Sequence, residues 1–225
     1  MWGELDDGAI GERCFGGSDD PLLRDYHDRE WGRPVTTERG LFERLCLEAF
    51  QAGLSWNIVL RKREALRAAF AGFDPDAVAA FGPADVERIL ATPSVIRNRP
   101  KVEAAVANAR TIVALRGPGR GVVDVVWSFR PVPGTVPSPA GGSWAEMPAH
   151  TAASTALAQE LRRLGVKFIG PTAAYALMQA AGLVNDHFGH CPVRAQVGRE
   201  QEEAAAGLAR GRTAGNAPAG RGAAG

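Results

Sequence analysis

In the stretch LFERLCLEAFQAG, apolar residues recur at helical spacing. Leu41, Phe42, Leu45, Cys46, Ala49 and Phe50 fall on one stripe, and Gly53 follows as a stop. The same period runs through NIVLRKREALRAAF (57–70), DPDAVAAF (74–81), PADVERIL (83–90) and RPKVEAAVANARTIVAL (99–115). Asp74-Pro75 and Pro83 sit where helix starts favour a capping carboxylate and a proline. From 117 to 150 the chain is dense in Gly and Pro and holds one short apolar piece, VVDVVWSF. Beyond it, Thr155 to Leu164 reads as a helix, Gly165 to Gly170 as a tight hairpin, and Pro171 to Gly182 as a helix opening on its proline. Alternation of period two is almost absent, so the expected fold is all-α.

Composition changes this picture little: 225 residues with 45% hydrophobic and 23% charged are ordinary for a soluble protein of one or two compact units. No run approaches the roughly 18 consecutive apolar residues of a membrane span. The start, MWGELDDGAIGER, is acidic and lacks the basic-then-apolar pattern of a secretion signal, so a cytoplasmic location is expected. Three cysteines, few and odd in number, fit a reducing compartment and no disulfide framework. The net charge of +1 neither announces nor excludes nucleic acid as a partner, because a basic face can be offset by acidic segments such as the first seven residues. The last segment, QEEAAAGLARGRTAGNAPAGRGAAG, is rich in Ala and Gly and poor in large apolar groups, which predicts a flexible tail. Arg210, Arg212 and Arg221 within it offer at most weak phosphate contact.

Candidate chemistry begins with GLVNDHFGHC, which sets His187 and Cys191 four apart, on one face if the segment is helical. Among the remaining donors, Cys46 lies on the apolar stripe, where a buried inert thiol is expected, and His150 has no nearby donor. Cys14 and His27 are left, with twelve residues between them. Two Cys and two His would make a closed tetrahedral zinc site, structural rather than hydrolytic because no position stays open for water. Spacing alone leaves both this set and a chance arrangement open, and His190 competes with its neighbour His187. A metal here would tether the two ends of the folded unit across a loop of more than about 150 residues.

A second cluster is CLEAFQAGLSWNIVLRKRE. Glu48 sits at the border of the apolar stripe, on a face with Arg44 and Gln51, and a surface pair with Arg44 is the simpler reading of that position. Its company suggests more: Gln51, Gly53, Leu54, Ser55 and Trp56 follow, then Arg61, Lys62, Arg63 and Arg67. An acid, an aromatic, a leucine at a glycine turn and a basic run suit base recognition with phosphate contact, although the run equally suits a solvated helix face. In RLGVKFIGPTAAYAL, backbone N–H groups from Gly165 to Gly170 lie at a helix N-terminus, where such a nest binds phosphate.

In collinear order, the blocks DPLLRDYHDREWG, LCLEAFQAGLSW, VLRKRE, FDPDAVAAF, VIRNRPKVEAAVANAR, VDVVWSF and GVKFIGPTAAYALMQAAGLVNDH cover most of residues 12 to 191. Together they resemble the 3-methyladenine DNA glycosylase I family, a zinc-carrying branch of the helix-hairpin-helix DNA glycosylases. The resemblance implies that Cys14, His27, His187 and Cys191 hold a structural Zn2+. It implies that Tyr26, Trp56 and Glu48 line a base pocket in which Glu48 is the catalytic group, and that Leu54 probes the base stack. It also implies a DNA-binding hairpin from Gly165 to Thr172, with Gly165, Lys167, Gly170 and Thr172 as contacts. The implied layout is a loose extension at 1–11, a glycosylase unit at 12–200 and the tail at 201–225. Within the unit, a helix-hairpin-helix part at about 40–182 lies between zinc-tethered segments at about 12–39 and 183–200.

The family's substrate is an adenine methylated at N3 in duplex DNA. Such a base is cationic, so it stacks on electron-rich rings such as those of Tyr26 and Trp56 and is attracted to a carboxylate such as Glu48. Extrusion costs a few kcal/mol, part of which an apolar wedge such as Leu54 offsets. Where related bifunctional enzymes carry a Schiff-base lysine, this chain has Thr172, so a monofunctional hydrolase without lyase activity is expected. Where many relatives carry an aspartate beyond the hairpin, a loose alignment places Asn185, with Asp186 one residue away. Another departure follows Cys14, where an aromatic is expected two residues on and Gly16 stands. The expected partner is double-stranded DNA carrying alkylated adenine, met by a monomer with no membrane. The alternatives are a zinc-stabilised DNA-binding module without excision, or a glycosylase for other N-alkylpurines.

Overall fold

Helix starts in this chain coincide with capping side chains and prolines. The computed structural model describes residues 14, 20–117, 121–132, 134–135, 143–144 and 147–215. The Asp20 carboxylate accepts from Leu22 N at the start of α1 (Pro21–Arg29), and the Thr37 hydroxyl accepts from Gly40 N at the start of α2 (Glu38–Gln51). α3 (Trp56–Ala69) follows the turn at Gly53, and a 3-10 turn (Ala71–Phe73) leads into α4 (Pro75–Ala79), capped by Asp74. α5 (Pro83–Ala91) opens on its proline, α6 (Arg99–Ala114) is capped by Asn98, and α7 (Val122–Trp127) folds the short apolar piece. α8 (Ala152–Arg163) carries a capping box at Thr151 and Ser154, α9 (Pro171–Ala180) starts on Pro171, and α10 (Arg194–Gly215) closes the order.

The expected all-α class holds, with no strand among the described residues. The core is built on α2, which packs against α3, α6, α7 and α9, while α8 lies against α9 and α4 against α6. Phe42, Phe50, Phe70 and Phe73 meet at its centre with ring centroids 5.6–6.0 Å apart, Phe70 and Phe73 being stacked. No helix among the described residues is long and apolar enough to cross a membrane.

Three described helices have no counterpart in the expected set, one being α7, which forms within the Gly- and Pro-rich stretch. α1 is too short and polar to show a clear stripe, and only Leu23, Tyr26 and His27 of it are buried. α10 occupies much of the stretch expected to be a flexible tail from 201. Its anchor is tertiary: Val197 is buried, Gln201 donates to the carbonyls of Gly32 and Val184 at 2.7 and 3.0 Å, and Ala204, Ala205 and Leu208 pack on the core. Small residues suffice because they cover an existing surface rather than form a core of their own. The extension expected at 1–11, Phe15 and Gly16 after Cys14, and the chain from 216 to 225 lie outside the described residues.

A close backbone approach depends on one glycine. Gly182 adopts φ +77°, and a Cβ there would lie 2.7 Å from the backbone of Arg33 and Pro34. This contact, with Val35 N donating to Ala181 O at 3.0 Å, holds the end of α9 against the segment leaving α1.

Candidate functional site

α1 delivers two neighbouring side chains to two different places. His27 enters a buried cluster with Cys14, His187 and Cys191, whose donor atoms all lie within 4.8 Å of one another. His27 Nε2 and His187 Nδ1 are 3.2 Å apart. Three sulfur–nitrogen separations measure 3.5 Å: Cys14 to His187, Cys191 to His27, and Cys191 to His187. The outer ring nitrogens fix both tautomers. His27 Nδ1 faces the Asp28 carboxylate at 2.8 Å and His187 Nε2 faces the Trp31 carbonyl at 3.1 Å, partners that only accept. Each imidazole therefore turns a bare lone pair inward. Phe188 N donates to Cys14 Sγ at 3.1 Å, and the Cys14 thiol bonds to Cys191, which raises the pKa of Cys14 and depresses that of Cys191.

This donor set can hold a metal. A tetrahedral ion with bonds of about 2.0–2.1 Å to nitrogen and about 2.3 Å to sulfur separates its nitrogens by about 3.3 Å and each nitrogen–sulfur pair by about 3.6 Å. The observed 3.2 and 3.5 Å match those spans. Asp28 and the Trp31 carbonyl supply the outer hydrogen bonds that orient ligating imidazoles. Gly32, at φ +79°, lets the chain pass under His187, since a Cβ there would meet its Nε2 at 3.0 Å. His190 is exposed and outside the cluster, so the ambiguity between the two histidines resolves to His187. Cys46 is buried and its pKa is raised by burial, in keeping with an inert thiol, and His150 is exposed.

Tyr26, the other α1 residue, turns the opposite way and meets Trp56 at the start of α3, with ring centroids 5.1 Å apart and planes tilted by 47°. Glu48 is buried near Tyr26, only 6% exposed, which corrects the simpler expectation of a surface pair with Arg44. Arg44 is buried too, lies over the Tyr26 ring at 5.8 Å, and gives its hydrogen bond to Glu30 at 2.8 Å. Burial pushes the Glu48 carboxyl up to about 8, with Arg44 pulling the other way. Burial likewise raises the Tyr26 phenol. A buried carboxyl close to the Tyr26 phenol and the Arg44 guanidinium is poised to ionise when a cation enters.

The basic run expected to touch phosphate is largely engaged inside the protein. Arg63 is buried and bridges Glu30 and Glu43 at 2.7 and 2.6 Å, Arg67 pairs with Glu43 and Glu64, and Arg61 pairs with Asp20. Lys62 donates to Ser94 O. Phosphate contact through Arg63 is therefore excluded, because the apolar face of α3 carries its side chain into the core.

Leu54 is half-buried in the turn between α2 and α3. That turn is held by a residue the sequence did not flag: Lys101, on α6, is buried and donates to the carbonyls of Phe50 and Ala52 at 2.9 and 2.6 Å. Its cation caps the carbonyl end of α2, and burial lowers its pKa. The pairing spans 51 residues and leaves no local signature.

The turn from Gly165 to Gly170 joins α8 to α9 and exposes Gly165, Lys167, Phe168 and Thr172, with Gly170 half-buried. Part of the expected N–H nest is occupied: Gly165 N and Val166 N bond back to α8. Lys167 N donates to Asn108 Oδ1 at 2.7 Å, and the same buried amide donates to Lys167 O at 3.2 Å. Behind α9, Asp186 is buried and accepts from Tyr175 Oη at 2.7 Å and Gln179 Nε2 at 2.9 Å. Asn185 instead donates to Arg194 O, its Oδ1 buried without a partner.

A helical scaffold with a buried Cys2His2 cluster and an aromatic-lined acid describes the class. The family model for methyladenine glycosylase matches residues 16–195, and the chain belongs to that family. It is 47% identical over 180 residues to DNA-3-methyladenine glycosylase 1 of Escherichia coli (strain K12), covering 80% of this chain and 95% of that protein. A crystal structure of a 3-methyladenine DNA glycosylase I superposes with a TM-score of 0.73 at 48% identity, covering 78% and 95% of the two chains. A structure describing 3-methyladenine recognition by the glycosylase I of Staphylococcus aureus superposes with a TM-score of 0.74 at 32% identity, covering 83% and 98%.

Proposed function

We propose that this protein excises 3-methyladenine from alkylated duplex DNA by hydrolysis, and that Tyr26, Glu48 and Trp56 form the pocket for the extruded base. The observation that carries the reading is the buried Glu48 carboxyl, raised to about 8, close to Tyr26, whose ring in turn meets Trp56. A neutral base gains little from a carboxylate in that setting. A cationic base stacks on the rings and draws the carboxyl into its charged form.

Bond breaking then follows from charge. The C1′–N9 bond breaks with its electron pair leaving on the base, which departs as neutral 3-methyladenine. A water oxygen bonds C1′, and its proton passes to solvent. N3 methylation supplies the leaving group, so extrusion, stacking and charge complementarity suffice without a strong general base. Asp186 is committed to Tyr175 and Gln179, and Asn185 is an amide, which suits such an enzyme. Thr172 offers no amine for a Schiff base, so the sugar is left abasic and the strand uncut.

Cys14, His27, His187 and Cys191 would hold Zn2+ as a four-ligand clasp that cross-links α1 to the segment before α10 and keeps no site for water. Leu54 wedges the gap left in the stack, while Gly165, Lys167, Gly170 and Thr172 contact the DNA backbone as a helix-hairpin-helix. The same reading takes the protein as a cytoplasmic monomer. The test is incubation with methylated duplex DNA and chromatography of released bases. Release of 3-methyladenine in preference to 7-methylguanine, with no strand scission, is expected; binding to abasic DNA without any base release would indicate a DNA-binding module instead.

A further inference from the structure

Between α2, α9, Trp144 and residues 147–149 lies a cavity of about 330 Å³, large enough at the small end of the range for ligand pockets. Its lining runs in a telling order. Thr172, exposed on the first turn of α9, stands at the mouth, and Tyr175 and Gln179, both buried and held by Asp186, lie deeper along the same helix. From α2 comes Gln51, one helical turn beyond Glu48 and on the same face. The remaining wall is Trp144 with Met147.

Trp144 lies outside every block that carries the family resemblance, in the Gly- and Pro-rich segment. Yet it is firmly placed: its indole N–H donates to Cys14 O at 2.7 Å, and its ring packs against Phe188 at 5.2 Å and Trp31 at 6.0 Å. These contacts tie it to the segments that bear the metal-binding cluster. One edge of the ring is thus fixed while the residue still borders the cavity, an arrangement suited to presenting a flat face to a ligand.

We propose that Trp144 is a specificity-determining wall of the base site, stacking on an extruded N-alkylpurine that enters past Thr172 and meets Glu48 alongside Gln51. The proposal rests on the reading of the protein as a base-excising glycosylase. It assigns an aromatic face on the cavity to Trp144, a residue outside the blocks that carry the family resemblance.

The test titrates free 3-methyladenine by calorimetry into wild-type protein, Trp144→Ala, Trp144→Phe and Ala176→Phe, recording metal content and melting temperature for each. Stacking of a base on an aromatic side chain predicts that Trp144→Ala weakens binding by about tenfold or more and that Trp144→Phe stays within about threefold of wild type. Ala176→Phe, which fills the cavity from α9, is expected to weaken binding by more than about tenfold with metal content unchanged. Equal affinity of Trp144→Ala and wild type overturns the proposal. So does a loss shared by Trp144→Ala and Trp144→Phe that tracks loss of metal, since Phe keeps the ring and removes only the bond to Cys14 O. Wild-type protein that neither binds the base nor releases it from DNA overturns the functional reading itself, a result distinct from either.

Discussion

Tyr26 and His27 are adjacent on α1, yet the two places they serve differ in how their polar groups are satisfied. Around His27, every ligating atom has a counterpart, and the outer nitrogens of both histidines are hydrogen-bonded to groups that only accept. Around Tyr26, a carboxyl is buried and its ionisation is opposed by burial. The first arrangement is closed and suits holding; the second is poised, its charge balance left for a ligand to complete. Because one helix carries both, a metal held by the four ligands would fix the rotation of α1 and with it the tilt of the Tyr26 ring against Trp56.

The comparison breaks most visibly if the clasp is opened. Cys191→Ala is expected to abolish metal binding and to cost at least about 4 kcal/mol, a drop of roughly 10 °C or more in melting temperature. Atomic absorption and thermal denaturation report both. Retention of one metal per chain by this variant would remove the clasp from the account.

The poised site should show itself through pH. With the Glu48 carboxyl at about 8 in the folded protein, the carboxylate fraction grows as pH rises. kcat/KM, which reports the free enzyme, should then climb nearly tenfold per unit below pH 8 and level off above it. Stability should move the opposite way. A carboxyl whose folded pKa lies above its unfolded value of about 4.3 stabilises the fold fully below that value and loses the contribution as pH rises through the folded pKa. Denaturant titrations between about pH 5 and 8 should show a loss of up to about 1.4 kcal/mol per pH unit that Glu48→Gln removes. A flat profile in wild-type protein would place the charge elsewhere. The clasp should contribute no such slope across this window while its metal is bound.

A smaller effect sharpens the boundary of the poised site. Lys101→Met leaves the Phe50 and Ala52 carbonyls without their donor and should cost about 1–3 kcal/mol. Since the Leu54 turn loses its support, excision should fall several-fold while metal content stays constant. Unchanged excision would show that the turn holds its shape without Lys101.

The two regions were also unequally legible. The helices could be read from their starts, because Asp74, Pro83, Asn98 and Pro171 act on their own neighbours in the chain. The clasp could be narrowed by elimination, since seven Cys and His in all leave few combinations. Glu48 could not be placed so well: its position at the edge of a stripe fits a surface or an interior, and the choice is made by tertiary packing that no local pattern encodes. Burial of Arg63 was hidden for the same reason. Gln201 and Lys101 act across 169 and 51 residues, and α10 holds its place through such contacts rather than through a stripe. Trp144 sits in a segment whose composition announces only turns.

The central claim is that the chemistry belongs to the poised carboxyl and the holding to the clasp. The direct measurement is release of 3-methyladenine from methylated duplex DNA by wild-type protein and by Glu48→Gln, with metal content determined on the same samples. The account predicts a full complement of metal in both and release slowed by about 100-fold or more in Glu48→Gln. Release at the wild-type rate by the fully metallated variant would contradict it.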